Sequence, residues 1–141
     1  MTRVEAAFLR PYRIQLARPL GTAHGELVER RGFLFFLATG DGRYGVGEAA
    51  PLPSHATEDL RSCEATLRAA WPRLVHCEPA EARRDLDALV PAFADAPAAR
   101  CAASTALLDL DACGAGVGAA SRLAELGGRR PARDVPVNAL L

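Results

Sequence analysis

Apolar and polar side chains alternate singly over residues 12–17: Tyr12, Ile14 and Leu16 lie on one side, Arg13, Gln15 and Ala17 on the other. A period of two predicts a strand with one buried face. Pro19-Leu20-Gly21-Thr22-Ala23-His24-Gly25 interrupts it with breakers and predicts a loop. A second strand follows over 26–38, polar at Glu29-Arg30-Arg31 and apolar from Phe33 to Leu37. Gly40-Asp41-Gly42 has turn chemistry and predicts a hairpin into a short third strand over 44–50. Three strands in succession predict an antiparallel meander with one face that something else must cover.

After Pro51-Leu52-Pro53 the period lengthens. Thr57 reads as a helix N-cap, with Glu58 and Asp59 in the first turn, where carboxylates favour the helix dipole. Leu60, Cys63, Leu67 and Trp71 recur at helical spacing until Pro72, which predicts a stop. Pro79 opens a second helix carrying Leu86, Leu89 and Val90, and Pro91 closes it. Asp95 and Pro97 open a third, along which Ala99, Ala102, Ala103, Ala106, Leu107 and Leu110 form a wide stripe of small apolar residues. Such a stripe permits close backbone packing. Gly114, Gly116 and Gly118 break it, and 119–126 predicts a short helix with Gly127-Gly128 as C-cap. Val135-Pro136-Val137-Asn138-Ala139-Leu140-Leu141 reads as an apolar strand that wants burial on both faces. The expected class is α+β: a three-stranded antiparallel meander followed by a helical bundle, with a second unit beginning at the end of the 141 residues.

Composition narrows the chemistry. The 17 basic and 17 acidic residues balance, which leaves no electrostatic footprint for nucleic acid or an anionic membrane. All the basic residues are Arg, so this chain offers no Schiff-base lysine, P-loop lysine or lysine general base. The longest apolar run, Phe33-Leu34-Phe35-Phe36-Leu37-Ala38, is far short of the roughly 18 residues of a membrane span. The N-terminal residues have no signal-peptide core, so a cytoplasmic location is expected. Cys63, Cys77, Cys101 and Cys113 lie 14, 24 and 12 positions apart; without a C-x-x-C pair they read as buried free thiols rather than a zinc site.

Four segments carry a resemblance: 19–25, Gly45-Val46-Gly47-Glu48-Ala49-Ala50-Pro51-Leu52-Pro53, Ala106-Leu107-Leu108-Asp109-Leu110 and 135–141. In this order they resemble the N-terminal capping domain of the enolase superfamily, muconate-lactonizing subgroup, in its o-succinylbenzoate synthase-like branch. The resemblance implies residues 1–128 as the cap and 129–141 as a linker with the first strand of a truncated (β/α) barrel. It implies a complete enzyme that uses Mg²⁺, a K-x-K lysine pair, three acidic metal ligands and a further lysine to abstract a proton beside a carboxylate and stabilise the enediolate. A barrel needs on the order of 200 residues, so the lysines and metal ligands would lie past Leu141. No catalytic residue is carried over, and these residues alone are expected to bind no metal and to turn nothing over. The cap's role is carried over: two loops shape the substrate pocket, here through Leu20, Gly21, Thr22, His24, Pro53, Ser54 and His55, with Asn138 facing it from the first barrel strand. The implied partners are a small carboxylate substrate and the missing barrel. Without the barrel, the barrel-facing apolar surface, including part of the third helix's stripe, would be left wet or covered by self-association.

Other readings stand beside these. His24 and His55 are either polar contacts to a substrate or solvated loop histidines; metal ligation is disfavoured because no third donor lies close in sequence. His76 reads as structural, and Glu48 as a structural hydrogen-bond partner rather than an acid/base. Asp109 and Asp111 do not share a helix face, which disfavours a paired-carboxylate site. Gly114-Ala115-Gly116-Val117-Gly118-Ala119 fits G-x-G-x-x-A, and a dinucleotide-binding reading would make 107–110 a strand, 119–126 a phosphate-binding helix and Asp134 the ribose acid. The Ala-rich, Pro-started run before the glycines argues against it. Dipeptide epimerase or muconate cycloisomerase chemistry, and a non-catalytic interaction module, are the remaining alternatives.

Overall fold

The computed structural model describes residues 3–136. Its sheet is the expected meander: β1 (Val4–Thr22), β2 (Gly25–Thr39) and β3 (Tyr44–Ala49), antiparallel in the order β1-β2-β3. The loop predicted over 19–25 shrinks to a turn at Ala23 and His24, because Leu20, Gly21 and Thr22 pair with Leu27, Glu26 and Gly25. A register shift between Gln15 and Leu20 takes up Pro19, which has no N–H to give a ladder. The buried face expected at Tyr12, Ile14 and Leu16 is also corrected. Burial in β1 is confined to Val4 and Ala7, while Ile14 is 56% exposed. Beyond about residue 12 β1 and β2 run past the end of β3 and continue as a two-stranded arm with no fully buried residue.

On the inner face Phe33, Phe35, Leu37 and Thr39 of β2 lie buried beside Gly45, Gly47 and Ala49 of β3. Four helices of the core layer and one outlying helix follow: α1 (Leu60–Leu74), α2 (Pro79–Arg84), α3 (Leu86–Leu89), α4 (Pro97–Ala115) and α5 (Ala119–Leu126). The N-cap of α1 is Asp59, which accepts from the Ser62 amide at 2.7 Å. Thr57 instead accepts from the Leu52 amide at 2.5 Å and ties the preceding loop. α1 runs through Pro72 to Leu74, since a proline in the last turn forfeits a single helical bond and Leu74 is fully buried. The single helix expected between Pro79 and Pro91 divides at Asp85. A segment this short is not self-sustaining, so burial of Ala82, Leu86 and Val90 decides its path.

α4 packs across β3 and carries the core. Its stripe of Ala99, Ala102, Ala103, Ala106, Leu107 and Leu110 is buried throughout, so the sheet covers the surface that was expected to stay wet. A Cβ on Gly45 or Gly47 would overlap the carbonyl oxygens of Ala106 and Ala102, so only glycine allows this approach. Asp109 accepts from the Val46 amide at 3.0 Å and so occupies a donor on the outer edge of β3. The start of α4 is not capped by Asp95; Glu58 reaches across from 40 residues away to the Ala98 and Ala99 amides at 3.1 and 2.8 Å. Residues 107–110 are helical, so the strand–turn–helix required for dinucleotide binding is not formed, and Gly116 serves as a left-handed C-cap. Asp111 pairs with Arg122 of α5 at 2.7 Å, so Asp109 and Asp111 diverge as their spacing requires.

His76 is backbone punctuation: at φ 70° its amide donates to the Val4 carbonyl at 2.7 Å. Of the four free thiols only Cys63 is buried; Cys77 is half-buried, and Cys101 and Cys113 are exposed because they lie off the α4 stripe. Residues 131–136 are irregular and exposed. The predicted strand from Val137 onward, Asn138 included, lies outside the described residues. No helix among the described residues is long and apolar enough to cross a membrane.

Candidate functional site

Two connections converge at the far end of the sheet. The first is the β1–β2 turn. Thr22 shapes it, its hydroxyl donating to the Gly25 carbonyl at 2.7 Å and accepting from the His24 amide at 3.1 Å. The second is the segment after β3, where Pro53-Ser54-His55 form a 3-10 turn closed by Ala56 at φ 62°. The rings of His24 and His55 meet edge to face with centroids 4.9 Å apart. Ser54 Oγ lies 3.0 Å from His55 Nδ1. Thr22, His24, Ser54 and His55, with Gly25, Glu26, Leu27 and Leu52, line a cavity of about 60 Å³.

Leu27 and Leu52 also line a wider groove of about 510 Å³. Its apolar floor is Leu27, Pro51, Leu52, Pro53 and Leu60, and its charged rim is Glu29, Arg30, Arg31, Asp59 and Arg61. Glu29 accepts from Arg13 and Arg31, which hold its carboxyl below the usual range, Arg13 first. The Ser62 amide does the same for Asp59. Arg30 donates to the Ala50 carbonyl at 2.8 Å and ties β2 to the start of the second loop. Behind the groove, Tyr12 donates a short hydrogen bond to Glu48, the structural role expected of that carboxylate. Burial, then Glu48, pushes the Tyr12 phenol up to about 12.

The expected loop residues divide. Thr22, His24, Ser54 and His55 come together, and Pro53 joins the groove. Leu20 and Gly21 are strand residues that line neither cavity. Leu27, Glu29 and Arg31 were missed, although a period of two along β2 puts all three on one face. Leu60 and Arg61, in the first turn of α1, join the groove because the 51–59 segment folds that turn against β2, which no local pattern signals. The donor set does not fit Mg²⁺, which takes oxygen ligands in near-ideal octahedral geometry. The small cavity offers two imidazoles, two hydroxyls and the single carboxylate of Glu26, Glu29 and Asp59 are already held, and no group of three or more His, Cys, Asp or Glu side chains gathers among the described residues.

No protein-family profile matches the chain, and no curated protein does. Solved structures do. A dipeptide epimerase from Enterococcus faecalis V583, complexed with Mg and L-Leu-L-Tyr, aligns with a TM-score of 0.75 at 22% identity, over 80% of this chain and 32% of that one. A mandelate racemase/muconate lactonizing protein from Herpetosiphon aurantiacus gives 0.72 at 28%, over 81% and 32%. A dipeptide epimerase from Methylococcus capsulatus, complexed with Mg and L-Arg-D-Lys, gives 0.70 at 30%, again over 81% and 32%. These neighbours are enolase superfamily members, and the fold here matches their N-terminal capping domain. The chain spans about a third of their length.

Proposed function

We propose that this chain is the capping and substrate-specificity part of a Mg²⁺-dependent enolase superfamily enzyme acting on a small carboxylate, with o-succinylbenzoate synthase-type dehydration as the complete reaction. The observation that carries the reading is the convergence of His24 and His55, from two separate loops, at 4.9 Å beside an arginine-rimmed groove. The apolar floor suits a carbon skeleton, and the Arg61 guanidinium on the rim suits its carboxylate, Arg30 and Arg31 being engaged by the Ala50 carbonyl and Glu29. In the dehydration a proton leaves the carbon beside a carboxylate and hydroxide departs. The base belongs to the barrel that the resemblance implies, and this chain binds, orients and excludes water. Dipeptide epimerisation is the second reading, favoured by the alignment with an epimerase at 30% identity.

A chimera tests both. Residues 1–128 replace the matching part of the M. capsulatus epimerase, and the product is assayed on dipeptides and on the cyclohexadiene carboxylate precursor of succinylbenzoate. His24→Ala and His55→Ala are expected to raise KM by roughly three- to tenfold, the worth of one lost hydrogen bond, with kcat nearly unchanged. A folded, active chimera whose KM ignores both substitutions on both substrates would overturn the specificity role. Because the barrel of the chimera is an epimerase's, the readings are separated by the shift in relative KM against the parent epimerase: a shift towards the cyclohexadiene carboxylate supports the dehydratase reading, and none favours the epimerase one.

A further inference from the structure

The second loop carries Ser54 and His55 with almost no burial to hold it. Of residues 51–59 only Pro51 is buried, and 53–56 are all exposed. Inside the loop the chain closes on itself. The Leu52 carbonyl accepts from the His55 amide at 2.8 Å, the Pro53 carbonyl from the Ala56 amide at 3.2 Å, and the Thr57 hydroxyl from the Leu52 amide at 2.5 Å. These bonds make 52–57 a unit but do not decide where the unit stands, so its stems must. On one side Arg30 of β2 donates to the Ala50 carbonyl at 2.8 Å. On the other, Glu58 reaches the start of α4 and accepts from the Ala98 amide through Oε2 and from the Ala99 amide through Oε1.

Glu58 is the stem that reaches the core. Ala96 and Pro97 carry no side-chain acceptor, so two amides at the positive end of the α4 dipole are left for this carboxylate. α4 is itself fixed by its buried stripe from Ala99 onward, whereas α1, which continues from the loop, reaches full burial only at Cys63. We propose, on the reading of both loops as specificity loops, that Glu58 is a positioning residue: it fastens the second loop to α4 so that His55 stands against His24. The bridge needs both carboxylate oxygens. Glutamine has one acceptor oxygen, so Glu58→Gln keeps one of the two bonds and turns its own N–H groups towards the other amide.

Proton NMR of the full chain tests the assignment through its three histidines, His24, His55 and His76. Nuclear Overhauser contacts between the His24 and His55 rings are expected in the wild type, lost in Glu58→Ala and weakened in Glu58→Gln. His76 serves as the internal reference, with circular dichroism confirming that every variant is folded. Leu110→Val, which loosens the C-terminal half of α4, should leave the ring contact intact. In the epimerase chimera Glu58→Ala should raise KM roughly three- to tenfold with kcat nearly unchanged, as His55→Ala does, and the two together should raise it no further. A ring contact that survives Glu58→Ala overturns the proposal. So does a contact that Leu110→Val abolishes as fully, or KM effects of Glu58→Ala and His55→Ala that multiply. A wild-type chain without the ring contact is a separate failure, since it removes the convergence on which the proposed function stands and the positioning role with it.

Discussion

Tyr12 and Cys63 are two side chains whose chemistry is set by burial and a neighbouring carboxylate. The Tyr12 phenol is partly sheltered and hydrogen-bonded to Glu48, which disfavours the phenolate. Its ionisation in a Tyr44→Phe background, followed by absorbance near 295 nm, is expected near pH 12, and Glu48→Gln should lower it. A raised folded-state value means that Tyr12 supports folding below about pH 10 and loses that support as pH rises towards 12. Unchanged titration in Glu48→Gln would show that the carboxylate is not a cause. Burial, then the nearby Glu58 carboxylate, pushes the Cys63 thiol up to about 12. Iodoacetamide at pH 8 should therefore modify Cys101 and Cys113 in the native protein and Cys63 only after denaturation. Mass spectrometry of the digested protein reads the order directly.

Between elements, fit at the α4–β3 crossing dominates. Gly47→Ala puts a methyl group into the Ala102 carbonyl and should cost about 2–3 kcal/mol, a fall of roughly 6–9 °C in Tm by differential scanning calorimetry. A change under about 1 °C would mean that the crossing yields freely. Glu58→Ala leaves the Ala98 and Ala99 amides without their cap and should cost about 1–2 kcal/mol, with Glu58→Gln recovering part of it. The small-residue stripe of α4 was plain in the sequence because helical spacing repeats over three turns. Its cap was not, because Glu58 lies 40 positions away and no local rule pairs them. The division at Asp85 escaped for the same reason: weak local preference left the path to burial.

For the whole molecule, the fold matches a capping domain, and the chemistry proposed for the complete enzyme rests on groups that these 141 residues do not supply. The purified chain with Mg²⁺ should convert neither the cyclohexadiene carboxylate nor a dipeptide above the uncatalysed rate; measurable turnover by stopped assay and chromatography would refute the capping reading. The sequence by itself determined the three-strand order, the limits of α5, the position of the α4 stripe and the lack of lysine in these residues, since these follow from period, breakers and composition. Only the tertiary structure decided that the stripe of α4 is covered along its whole length, that His24 and His55 meet across 31 positions, and that Leu27, Glu29 and Arg61 line one groove beside the cavity those histidines line. Period and capping act within a few residues, whereas side chains from different loops are brought together by how far each strand runs past its neighbour.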